Sequence, residues 1–189
     1  MSQKANPRVL TESAICVAAA FALSLIPMPS MPLGGSITLF STAPIIVIGL
    51  RHGLKWGVVG ALVYSFTQLL LGMSFVLAVP VRNLQSIVLC IALDYILAFT
   101  IIGFTGYLSR SIDKGRSGLC AAIAITGLGR LACSFLSGVI VWAPYAWEGW
   151  NVVAFSLAYN ALWCLPDTAI AVAACLAVTQ VRSLGLLPS

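Results

Sequence analysis

The sequence predicts an all-α integral membrane protein of six transmembrane helices with both termini in the cytoplasm. Of its 189 residues 60% are hydrophobic and only 8% charged, the mean hydropathy is +1.04, and the basic residues gather on alternate loops. A soluble domain has about 25% charged residues, so water is not the main solvent of this chain. In hydrocarbon every backbone amide needs an internal partner, which leaves helices or a closed barrel. Long unbroken apolar runs, without the alternation of barrel strands, select helices.

The apolar runs fall at 9–27, 37–50, 54–72, 84–108, 118–142 and 151–181, within one membrane domain covering 1–189. A helical span needs about 20 such residues. The first run lacks a small-residue cleavage site and is followed by further spans, so it reads as a retained helix. The second is short and holds Pro44; the last is long and holds Pro166, where a kink or a projecting end is expected. Lys4, Arg8, Arg51, Lys55, Arg110, Lys114, Arg116 and Arg182 all fall on one side of this pattern. Loops 28–36, 73–83 and 143–150 carry only Arg82 and Glu148. By the positive-inside rule both termini are cytoplasmic. The same asymmetry accounts for the net charge of +5 and removes the reason to expect nucleic acid as a partner.

Several function classes lose support at this level. Cys16, Cys90, Cys120, Cys133, Cys164 and Cys175 sit singly in apolar runs and read as small buried hydrophobes, not metal ligands. There is no Walker motif for ATP hydrolysis by that route, and no internal repeat of the kind common in secondary transporters. His52 reads as a solvated turn residue. Two outward loops stand out: 28–36 is rich in Pro and Gly, and 142–150 holds Trp142, Trp147 and Trp150. Such tryptophans form either an interfacial belt or an aromatic lid over an outward-facing site.

Three ionisable residues lie well inside spans: Asp94, Arg130 and Asp167. Each costs about 2.5–3.5 kcal/mol at the bilayer centre unless paired or solvated. At about 1.5 Å per residue, Asp94 lies about 15 Å and Arg130 about 18 Å below the outer surface. Two readings follow. One is that the pair locks two helices together; the other, compatible with it, is that Asp94 faces a cavity and receives a cationic or amine-bearing ligand. Arg130, Ser134 and Ser137 form one polar stripe. Trp142 lies about 120° off that stripe and joins it only if the helix end bends or unwinds. Asn160, after Tyr159, comes within reach of the depth of Asp94, as interhelical glue or as part of a site. Asp167 lies deeper and is expected to pair locally or near the cytoplasmic face. As a carboxylate pair, Asp94 and Asp167 would suit an intramembrane enzyme, but their depths differ and no His or Cys cluster supports them. On the first helix, Ala14 and Ala18 make a small-xxx-small face for close approach of another helix.

Together these landmarks resemble the S-components of energy-coupling-factor vitamin transporters, and within them the thiamine-specific type. The resemblance covers nearly the whole chain. It rests on Leu10-Thr-Glu-Ser-Ala-Ile15, Arg51-His-Gly-Leu-Lys-Trp-Gly57, Leu93-Asp-Tyr-Ile-Leu-Ala-Phe99, Arg130 through Trp142, Ala143-Pro-Tyr-Ala-Trp-Glu-Gly149 and Ser156-Leu-Ala-Tyr-Asn160. It implies a six-helix subunit that does no chemistry, binds thiamine from outside and joins a membrane coupling protein with two ATPase subunits. ATP would be hydrolysed by those partners, and this chain would carry no catalytic residue, cofactor or metal. The implied binding carboxylate is Asp94, with Tyr95 beside it, Arg130 as the midmembrane basic residue, Trp142 as the stacking ring and Asn160 as the asparagine. Ala14 and Ala18 fall on the coupling face. Ser134 stands where these proteins carry a histidine, Phe155 where a tyrosine is common, and Gly34-Gly35-Ser36 where a tryptophan is expected. These departures remove donors and stacking area, leaving a thiamine fragment or related vitamin as the alternative ligand.

Overall fold

The computed structural model describes residues 7–26, 31–38 and 40–180. Lys4, Arg182, residues 27–30, residue 39 and residue 181, all used above, lie outside the described residues. The apolar runs coil because a helix satisfies its own backbone amides in hydrocarbon. In order they are α1 (Pro7–Ser24), α2 (Ala43–His52), α3 (Leu54–Leu71), a short α4 (Met73–Leu77), and α5 (Leu84–Ile112), α6 (Arg116–Ile140) and α7 (Val152–Thr179). Among the described residues there is no strand.

Five helices, α1, α3, α5, α6 and α7, are long and apolar enough to cross a membrane. The second apolar run is not a spanning helix. Its described residues before α2, 37, 38 and 40–42, form a loop, and α2 has only 10 residues, about 15 Å or half the hydrocarbon thickness. Pro44 sits in the first turn of α2, where its missing N–H costs nothing and its fixed φ starts the helix. Asn83 and Asn151 cap α5 and α7, their side-chain oxygens accepting from Ser86 N at 2.7 Å and Val153 N at 2.8 Å. α7 runs through Pro166, with Thr168 Oγ1 donating to Cys164 O at 2.7 Å in the turn that holds the proline.

Near the ends of α2 and α5, glycines let backbones touch. A Cβ on Gly106 would lie 2.2 Å from the carbonyl carbon of Gly49, and one on Gly57 would lie 2.5 Å from Gly103 O. Gly53, at φ +81°, turns the chain from α2 into α3, and the Arg110 guanidinium donates to the free carbonyl of Leu50 there. His52 is not a solvated turn residue. Its side chain is 13% exposed, with Nε2 3.1 Å from Glu12 Oε2, and Glu12 also holds Arg51 at 3.3 Å and Arg8 at 2.9 Å. This cluster ties α1 to the end of α2.

The rest of α1 is loosely packed. Ser13 and Ala20 face the bundle, while Ala14 and Ala18 are exposed on the other side. Large apolar side chains also lie bare, including Leu84 at 78% and Leu70 at 71% exposed. Such a surface is covered favourably only by lipid or by another protein.

Candidate ligand-binding site

Asp94 sits where α5 changes winding, in the π-helical stretch Ile91–Leu97, which a 3₁₀ turn, Ile101–Phe104, follows. Such wide turns recur at functional positions. Three donors converge on one oxygen of its carboxylate: Ser137 Oγ at 2.5 Å, Trp142 Nε1 at 3.2 Å and Cys90 Sγ at 3.5 Å. The other oxygen, Oδ1, takes no hydrogen bond from the described residues.

Trp142 reaches this carboxylate because α6 unwinds at its end. Val141 N and Trp142 N both donate to Ser137 O, at 2.7 and 3.3 Å, and a 3₁₀ turn follows. Tyr95, next to Asp94, donates its hydroxyl to Gly72 O at 3.1 Å. A Cβ at Gly72 would lie 2.1 Å from the Tyr95 oxygen, so a larger residue there displaces that ring.

Arg130 does not pair with Asp94. Its Nη1 lies 2.5 Å from Asp167 Oδ2, and its guanidinium carbon lies 4.6 Å from the Phe99 ring centroid and 4.9 Å from that of Trp163. Asp167 therefore pairs across helices, not locally. Its other oxygen accepts from Thr38 N and Thr38 Oγ1, both at 2.8 Å. The chain of bonds continues from Tyr64 through Ser41 to Thr38. This network holds the non-helical segment before α2 inside the bundle, the one place where irregular backbone is tolerated at membrane depth.

The depth estimate failed because the start of α5 and the end of α6 are not level. The contacts Asp94–Ser137 and Thr105–Thr126 set an antiparallel register in which Ile140, the end of α6, stands opposite Ile91. The first two turns of α5 therefore rise beyond α6. Arg130, seven residues from Ser137, sits about 10 Å below Asp94.

Asp94, Tyr95, Arg130, Ser134, Trp142, Phe155 and Asn160 all line one cavity of about 220 Å³. Asn160 spends its amide donor on Ser134 O at 3.2 Å and Ser156 O at 2.9 Å, so its carbonyl oxygen remains as an acceptor. Phe155 packs 5.6 Å from the Tyr159 ring and 5.2 Å from the ring of Trp147.

Several lining residues were missed by sequence reasoning. Tyr159 pins the first loop, donating to Gly34 O at 3.0 Å and accepting from Leu33 N at 2.8 Å. Trp163 fills the space beside Gly35, where a Cβ would lie 2.5 Å from its Nε1. Residues 155, 156, 159, 160 and 163 repeat at helical spacing, a face that the period of α7 could have revealed. Asp167 is not among the residues lining this cavity. It borders a smaller space beneath, together with Arg130, Thr42 and Thr126.

An apolar helical bundle that keeps a carboxylate oxygen free inside an aromatic-walled cavity belongs to the membrane proteins that hold small solutes. Residues 10–185 match the thiamine transporter protein family, and the chain belongs to that family. It is 32% identical over 188 residues to the thiamine transporter ThiT of Bacillus subtilis, covering 93% of each chain. It is 30% identical over 172 residues to ThiT of Lacticaseibacillus paracasei, covering 85% of this chain and 81% of the other. The fold matches a solved structure of ThiT from Listeria monocytogenes with a TM-score of 0.73 at 26% identity, over 97% of this chain and 100% of that one. The resemblance to thiamine-specific S-components is thereby borne out, and the chain is a multi-pass membrane protein of a transporter family.

Proposed function

We propose that this chain is the substrate-binding subunit of an energy-coupling-factor importer, that it binds thiamine in the cavity around Asp94, and that it performs no chemistry of its own. The observation that carries this reading is the divided carboxylate of Asp94. One oxygen is saturated by three protein donors, which hold the group in place, and the other is left for a ligand. The indole of Trp142 is locked beside it by one of those bonds. Thiamine offers a permanent thiazolium cation and an aminopyrimidine, which suit a carboxylate and a flat aromatic wall. Asn160 and Ser134 supply orienting hydrogen bonds, Tyr95 and Phe155 line the rings, and Arg130, already paired, shapes the floor.

In this reading both termini are cytoplasmic, and α2 with the loop before it makes the second of six passes. The exposed Ala14–Ala18 face of α1 docks on a membrane coupling protein, whose two ATPase subunits hydrolyse the ATP. Titration of the purified protein in detergent with thiamine, riboflavin, pyridoxine and hydroxymethylpyrimidine tests the ligand. Thiamine is expected to bind tightest, with saturable quenching of tryptophan fluorescence. No response to thiamine at high micromolar concentration, with a clear response to another of the four, overturns the thiamine assignment.

A further inference from the structure

A polar side chain outside the set already assigned also borders the cavity. Gln68 lies on α3 and lines the cavity with Leu71 and Gly72, three and four residues on, which makes one face of that helix. Its amide orientation follows from its neighbours. Ser24, the last residue of α1, gives its hydroxyl proton to Phe21 O at 2.7 Å. The Ser24 oxygen is then an acceptor, and Gln68 Nε2 donates to it at 3.0 Å. The Gln68 carbonyl oxygen is left over. It takes no hydrogen bond from the described residues and is not among their buried unsatisfied atoms, so it is an accessible acceptor on a residue that lines the cavity.

Among its described residues the cavity thus presents three carboxylate or amide oxygens without a protein donor: Asp94 Oδ1, Asn160 Oδ1 and Gln68 Oε1. They come from α5, α7 and α3, three different sides of the bundle. A wall of this kind selects a ligand that is rich in donors as well as cationic, because a buried acceptor left unmet costs binding energy.

We infer that Gln68 is a ligand-contacting, specificity-determining residue whose side-chain carbonyl accepts a hydrogen bond from an N–H or O–H donor of the bound vitamin, with Ser24 as the positioning residue that sets the amide's orientation. The inference rests on the cavity being the vitamin site. An amino group on a flat heterocycle is the donor it fits.

The alternative role for Gln68 is to tie α1 to α3, and a set of variants separates the two. Gln68→Met keeps the size and removes the acceptor, Gln68→Glu keeps an acceptor, and Ser24→Ala removes the interhelical bond while leaving the acceptor in place. Thiamine affinity is measured by calorimetry and thermal stability by melting in detergent. Gln68→Met is expected to weaken binding about five- to twentyfold, Gln68→Glu to recover most of that loss, and Ser24→Ala to lose clearly less than Gln68→Met. If Gln68→Met binds within twofold of wild type, or if Ser24→Ala loses as much affinity and melts as early as Gln68→Met, the inference is overturned. A wild-type protein that ignores thiamine overturns the functional reading instead. The same variants are then read with whichever of riboflavin, pyridoxine or hydroxymethylpyrimidine binds, and silence of all four overturns both.

Discussion

Replacing Asp94 and Asp167 one at a time by asparagine should have opposite consequences, because the two carboxylates are used differently. Asn at position 94 can turn its carbonyl toward Ser137, Trp142 and Cys90 and keep their three hydrogen bonds. What it loses is the charge and the second oxygen, the one without a protein donor. Loss of a charge-assisted contact costs about 1.5–3 kcal/mol, or roughly ten- to hundredfold in affinity, with little change in melting temperature. Asn at position 167 leaves Arg130 charged and unpaired where it is 6% exposed. Removing one partner of a buried pair costs about 3–5 kcal/mol of stability, and the bonds to Thr38 weaken as well. Calorimetry with thiamine and a melting curve in the same detergent measure both quantities. The reasoning is refuted if Asp94→Asn binds thiamine as wild type does, or if it lowers the melting temperature as much as Asp167→Asn.

Trp142→Phe, which keeps a ring but loses the bond to Asp94, should weaken thiamine binding several-fold, and Trp142→Ala should weaken it further and reduce the fluorescence quench; equal affinities in a titration would remove Trp142 from the site. Gly106→Ala drives a methyl group into the backbone of Gly49 and should destabilise the bundle by about 1–3 kcal/mol, whereas Gly129→Ala, which meets only the side chain of Ile101 at 3.1 Å, should melt close to wild type; a reversed order would contradict the glycine seam. Ala14→Trp enlarges an exposed position of α1 and should leave thiamine affinity unchanged while abolishing uptake in vesicles reconstituted with the coupling protein and ATPases; undiminished uptake would show that this face does not dock there.

Much of the candidate site was legible in the sequence because polar residues are scarce in this chain. Asp94, Arg130 and Asn160 each needed a reason to sit in hydrocarbon, and all three border the cavity. Partner choice was not legible. Residue counting placed Asp94 level with Arg130, and the true register moved Arg130 down to Asp167. Trp163, Gln68 and Tyr159 escaped notice because an aromatic or an amide in a membrane helix is usually belt or packing. Only their neighbours reveal them as cavity walls.

Hydropathy, the alternation of basic loops and the few intramembrane polar residues determined, from the sequence alone, a helical membrane protein with a candidate carboxylate site. Those properties are sums and spacings along one chain, and the bilayer reads them almost locally. The tertiary structure decided which helices lie level, that α6 unwinds to bring Trp142 onto Asp94, that α5 widens at 91–97, and that the loop before α2 enters the bundle on Asp167. Each of these depends on contacts between residues dozens of positions apart, whose geometry is set by how helix ends, glycine seams and ion pairs fit together in space.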